Sequence, residues 1–194
     1  MLIAAYIVLG LAFGISNMVL FHRCAEVTPI RLSRGLLITL ITAVIQTALF
    51  LLGMLLGDML RFELPVDSGA FAKTNALIFL GLDIFVMMRL LLPHLRREPR
   101  LPLFDLSSNA ACTAMAVATG INMLLVGIGV GFVASLGNEM HKALWPMLVL
   151  TFLASYWGLM LGRRKVAIRP RRWMIVVSVL LLGVAIAAVV DAPV

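Results

Sequence analysis

Few side chains in this sequence can bind or react, and two of them recur at one spacing. Asn17-Met18 returns 105 residues later as Asn122-Met123. Ser16 precedes the first Asn, and Thr119 lies one turn before the second. Gln46 and Thr47 fall in the next apolar stretch, and Asp83 is near the middle of the third. Amide carbonyls and hydroxyls are neutral oxygen ligands, suited to a partly dehydrated hard cation. They cannot carry a proton or neutralise a divalent ion, whereas a carboxylate can do either. The candidate ion-binding set is therefore Asn17, Gln46, Asp83, Asn122, Ser16, Thr47 and Thr119, with Asn17, Asn122 and Asp83 as candidate metal ligands. The plainer alternatives are interhelical hydrogen bonds for the amides, and for Asp83 a pairing with Arg89 or with a helix across the bundle. His22, His94 and His141 lie at the ends of apolar stretches and read as interfacial. No His or Cys pair has zinc spacing. There is no phosphate loop and no nucleophile–base pair, so the expectation is a protein that is not an enzyme and carries no cofactor.

The elements that must hold these residues are apolar. The chain has 194 residues, 62% of them hydrophobic and 13% charged, with a mean hydropathy of +1.08. A soluble domain is about 45–50% apolar and about 25% charged, and a fold of this size has too much surface to dispense with those charges in water. Runs long enough to span a bilayer are Leu2–Phe21, Gly35–Leu60, Thr74–Leu92, Ser107–Val133, Leu144–Gly162 and Trp173–Val190. Pro29, Pro65, Pro93, Pro99, Pro102, the Gly137-Asn138 pair and Pro170 mark the breaks between them. The expected fold is all-α and integral to the membrane, with six transmembrane helices in a single domain over residues 1–194. The first stretch lacks a basic n-region and a cleavage site, so it reads as a retained span.

Charge sets the expected orientation. Of 16 Lys and Arg residues, 13 lie in or beside the odd-numbered loops, and Arg61, Lys73 and Lys142 flank the even ones. The positive-inside rule makes the odd loops cytoplasmic and puts both termini outside. The net charge of +7 then reflects topology, because aromatic and basic residues do not interleave into a nucleic-acid stripe. The partners implied are a lipid bilayer and a transported cation, with no nucleic acid.

A second feature shares the 105-residue offset. Gly53-x-x-x-Gly57 recurs as Gly158-x-x-x-Gly162. Three helices per repeat is an odd number, so the halves (1–92 and 107–194, joined by a cytoplasmic linker 93–106) must be inverted in the membrane. Inverted repeats are a common plan of secondary transporters, with the substrate site near the midplane. The glycine pairs read as helix-packing positions, and Gly127, Gly129 and Gly131 as a small-residue face on the fourth helix.

In this order and spacing the sequence resembles the MntP-type manganese efflux pumps of the LysE-like transporter group. Gly14-Ile15-Ser16-Asn17-Met18 matches a Ser-x-Asp-Ala-Phe type motif. Gln46, Gly53 and Gly57 match the second helix, with Phe50 where the family often has Pro. Phe79-Leu80-Gly81-Leu82-Asp83 matches the third, where the family usually has a basic residue at the last position. Thr119-Gly120-Ile121-Asn122-Met123 occupies the second Asp motif, and Gly158-x-x-x-Gly162-Arg163 ends the fifth helix. The segment before the sixth helix lacks the family's Glu–Gly–Gly pattern. The resemblance implies manganese-type efflux across the cell (inner) membrane, with Asn17, Gln46 and Asn122 at the site. Both family aspartates read here as Asn, while the third-helix cation reads as Asp83.

Two other readings stay open. One is a transport-inactive or accessory membrane paralogue, given the lost aspartates. The other is a thiol–disulfide electron carrier of the CcdA/DsbD type, which Cys24 and Cys112 invite. Their offset is 88 rather than 105, and neither has the Pro-Cys context of that group.

Overall fold

The computed structural model describes residues 3–28, 30–61, 68–95, 104–134 and 136–192. These residues form six helices: α1 Ile3–Val27, α2 Leu32–Met59, α3 Ser68–Leu95, α4 Asn109–Val133, α5 Leu136–Arg163 and α6 Pro170–Val190. Among the described residues there is no strand. Each helix contains a stretch long and apolar enough to cross a membrane. At about 1.5 Å per residue even the shortest reaches the thickness of a hydrocarbon core. Large apolar side chains such as Leu37, Val44, Phe85, Trp145 and Trp157 are exposed on the outside of the bundle, as a lipid solvent permits.

Several breaks fall elsewhere than the sequence indicates. Pro93 lies inside α3, and α5 begins at Leu136, so Gly137-Asn138 belong to its first turn. Glu139, His141 and Lys142 follow them, and these polar residues hide the helix start from a reading based on hydropathy. Pro170 is the first residue of α6, a position where its missing N–H has no partner to lose. Pro29, Pro65, Pro99 and Pro102 lie outside the described residues.

The helices pair closely as α2 with α4 and α1 with α5; α3–α6, α3–α4, α2–α5 and α1–α6 complete the bundle. Glycines make the two closest pairings. A methyl group at Gly53 or Gly57 would overlap the carbonyl oxygen of Leu124 or Ile128 on α4, and one at Gly158 or Gly162 that of Met18 or His22 on α1. Backbones that approach this closely gain packing that lipid cannot match. Gly127 and Gly131 meet the α2 backbone, but Gly129 packs on Phe79 of α3. The three glycines therefore do not form one face, because residues two apart on a helix point to nearly opposite sides.

At the basic end, loops are tied to helices. Arg34 Nε donates to Leu106 O at 3.2 Å, and its Nη2 donates to Ser107 O and to Asn109 Oδ1. Ser108 caps α4. The exposed Asp105 carboxylate accepts from the amide and hydroxyl of Ser107, both at 2.8 Å, and these bonds hold it below the usual carboxylate range. The α5 C-terminus turns through Lys165 at φ 51, with Val166 N–H on Leu161 O and Lys165 N–H on Gly162 O, a Schellman arrangement. His22 is buried rather than interfacial: its Nε2 donates to Val166 O at 2.7 Å and joins α1 to this turn.

Candidate functional site

The glycine contacts set two parallel registers. Along α2 and α4, Gly53 meets Leu124 and Gly57 meets Ile128; along α1 and α5, Gly10 meets Pro146, Gly158 meets Met18 and Gly162 meets His22. These registers bring the buried polar residues to mid-depth, in two adjacent layers.

The first layer is a closed hydrogen-bonded chain across α1, α2 and α4. Asn17 Nδ2 donates to Gln46 Oε1 at 2.5 Å, and Gln46 Nε2 returns a bond to Asn17 Oδ1 at 3.1 Å. The second Gln46 hydrogen goes to Thr119 Oγ1 at 2.5 Å. Thr119 passes its own hydrogen to Met115 O at 2.8 Å. Asn17 and Gln46 are buried, and a chain of this kind satisfies polar groups that lipid could not.

The second layer lies three residues, about 4.5 Å, further along α4. Here Asn122 is 7% exposed and its Oδ1 has no partner among the described residues. The residue at the repeat offset from Gln46 is Thr151, which is fully buried with its hydroxyl oxygen also unpartnered. The offset that relates Asn17 to Asn122 also points to Thr151, although the hydroxyl-bearing residue was not selected from sequence. Thr47 is buried with an unpartnered hydroxyl as well. A Thr inside a helix can bond the carbonyl four residues back; neither of these does.

Asp83 lies on the buried seam of α3 with Ala76, Phe79 and Val86, and has no exposed surface. Phe79 packs on Gly129, so Asp83, one turn further toward the basic end, is at the depth of the polar layers. Both carboxylate oxygens lack a hydrogen-bond partner among the described residues, Arg89 included. The structure thus joins Asn17, Gln46 and Thr119 directly and leaves Asp83, Thr47 and Asn122 with free oxygens at similar depth.

A cavity of about 230 Å³ leads from the basic end to the second layer. Arg23, Arg89 and His94 stand at its outer part, and Ser16, Thr119 and Asn122 at its inner part. Arg23 and Ser16 are seven residues apart on α1, a depth of about 10 Å. Asp83 does not line it. Among the described residues no three His, Cys, Asp or Glu side chains come together to hold a metal ion. Cys24 and Cys112 are both free, and they belong to or border one apolar cluster with Phe21, Leu106 and Leu159.

Six apolar helices around a buried polar centre, with a cavity leading in from one end, define a multi-pass membrane protein of the transporter kind. The family model described as "Mntp: Putative manganese efflux pump" matches residues 29–189. The chain belongs to this family of transporters. The matched stretch contains Gln46, Asp83 and Asn122 and begins after Asn17. No curated protein and no solved structure matches the chain.

Proposed function

We propose that this protein exports a cation of the manganese type across the cytoplasmic membrane, through a site at mid-depth between α1, α2, α4 and α5, with Asp83 of α3 as its charged member. The observation that carries this reading is the group of buried, unpartnered oxygens: Asn122 Oδ1, the Thr47 and Thr151 hydroxyls and the Asp83 carboxylate. A buried polar atom without a partner costs about 1–3 kcal/mol. Four residues carrying that cost in the middle of the bundle are well accounted for by a ligand that occupies them part of the time. Oxygen donors of this kind suit a hard cation, and a cation in an apolar core needs countercharge, which Asp83 supplies.

The helix pairing supports two inverted three-helix repeats. Exchanging α1 with α4, α2 with α5 and α3 with α6 maps the pairs onto one another: α2–α4 becomes α5–α1, and α3–α4 becomes α6–α1. In this reading the basic end faces the cytoplasm, both termini lie outside, and the cavity is the inward-open route to the site. Asn17 holds Gln46 in place, and Thr119 anchors the chain to the α4 backbone. Ser16, Thr119 and Asn122 line the approach.

Manganese tolerance and cellular manganese content test this, in cells lacking the protein and in cells overproducing it. The reading expects higher content and lower tolerance without it, and the reverse on overproduction. Unchanged content in both would favour a transport-inactive paralogue. A redox phenotype that depends on Cys24 and Cys112 would favour electron carriage.

A further inference from the structure

The outer part of the cavity has the wrong sign for a simple cation path. Arg23 on α1 and Arg89 on α3 converge on it beside His94, and among the described residues no Asp or Glu lines it. We propose that this vestibule is an oxyanion site that takes a phosphate group, either as free phosphate or as the headgroup of an anionic lipid.

Four observations carry it. Neither Arg23 nor Arg89 has an ion-pair partner among the described residues, while Glu26 lies 3.6 Å from His22 and Asp105 is engaged with Ser107. His94 Nδ1 is 2.9 Å from Leu90 O, so that nitrogen carries the hydrogen; its Nε2 is a buried, unpartnered acceptor that can take the P–OH hydrogen of inorganic phosphate. Asn122, more than nine-tenths buried, lines the inner part of the same cavity with an unused amide oxygen, a second acceptor for a phosphate hydroxyl. Ser16 adds a hydroxyl there. Two guanidinium groups supply forked donors matched to phosphate oxygens, and the apolar walls between them strengthen the attraction. The positive-inside rule explains why arginines lie at this end of the bundle, but not why two of them border one cavity with no acid among its described lining residues. The volume accommodates a tetrahedral oxyanion with water.

The site shares Asn122 and the cavity with the transport reading, but its test runs with no metal present, so the two can fail separately. If the cation reading also holds, a phosphate seated here would place negative charge on the route of a cation that otherwise passes two arginines.

The test uses the purified full-length protein in a lipid-free, uncharged detergent. Inorganic phosphate is titrated calorimetrically into the parent, Arg89→Gln, Arg23→Gln with Arg89→Gln, and the control Arg61→Gln, whose charge follows α2 at the other end of the bundle. In parallel, native mass spectrometry compares retention of phosphatidylglycerol and phosphatidylcholine. The expected result is phosphate binding by the parent and the control, at least tenfold weaker in the double variant and several-fold weaker in Arg89→Gln. Arg89 is exposed, so its single variant keeps the test readable if the double variant does not fold. Phosphatidylglycerol retained by the parent and lost by Arg89→Gln, without binding of free phosphate, assigns the site to a lipid headgroup. Equal behaviour of parent and Arg89→Gln toward both phosphate and phosphatidylglycerol overturns the proposal.

Discussion

Asn17 and Gln46 hold each other by both ends of their side-chain amides, across two helices and out of contact with solvent. Gln46 spends its remaining hydrogen on Thr119, so one side chain ties three helices together. Replacing Gln46 with Leu leaves the Asn17 amide without its partner in an apolar core. The expected loss is about 1–2 kcal/mol, toward the upper end of what interhelical hydrogen bonds contribute in membranes. Unfolding of the purified protein in mixed micelles measures it, and a variant as stable as the parent would show that the clasp contributes nothing.

The glycines divide into two classes that substitution can separate. Gly57 and Gly158 face backbone carbonyls of a neighbouring helix, whereas Gly81 and Gly183 have open space where a side chain would go. Gly57→Leu and Gly158→Leu should each destabilise the bundle by about 3 kcal/mol or more, since overpacking against backbone cannot relax by a rotamer change. Gly81→Leu and Gly183→Leu should be neutral or slightly stabilising, because Leu favours a helix over Gly. Melting temperatures in detergent will rank the four; similar losses in all of them would contradict the packing account.

Topology follows from the distribution of basic residues. Reporter fusions at residues 98 and 168 should report cytoplasm, and fusions at 67 and 139 the opposite side. A cytoplasmic C-terminus would remove the support for inverted halves.

Much of this architecture was readable in the sequence. The six spans follow from hydropathy, which lipid imposes directly, and the repeated glycine pairs mark the α2–α4 and α1–α5 seams because close backbone approach leaves little alternative to glycine. The Asn17, Gln46 and Thr119 chain joins three residues selected from sequence by type and position. Helix ends were less legible. The polar residues that follow Leu136 resemble a loop although they continue α5, and Pro93 reads as a break although α3 runs through it. Depth is set by apolar composition, but the true terminus is set by backbone hydrogen bonds that hydropathy does not report. Thr151 reads from sequence only as one of several polar residues of the fifth span; its burial with a free hydroxyl, at the 105-residue offset from Gln46, is what singles it out. The inward convergence of Arg23, Arg89 and His94 was hidden too, because all three lie where the positive-inside rule already expects basic residues.

The resemblance to the manganese pumps puts Asn17 and Asn122 where those proteins carry aspartates, and this makes a gain-of-function test possible. Asn17→Asp together with Asn122→Asp adds two carboxylates to the proposed site, whose charged member is Asp83. Gln46 Nε2 can still donate to a carboxylate at position 17. Manganese export should rise relative to the parent, by several-fold in vesicle flux, because two more negative charges offset the burial of a divalent ion. Flux unchanged or lower in a stably folded variant would separate these positions from the cation path.

The central claim is that Asp83 carries the charge of a cation-transport site, and manganese flux into inside-out vesicles tests it most directly. Parent and Asp83→Asn are compared at equal abundance and with matched melting temperatures, since the two side chains have nearly the same shape. The account predicts concentration-dependent manganese uptake by the parent and loss of at least nine-tenths of it in Asp83→Asn. Equal flux through both proteins would contradict it and reduce Asp83 to a structural group in the α3 seam.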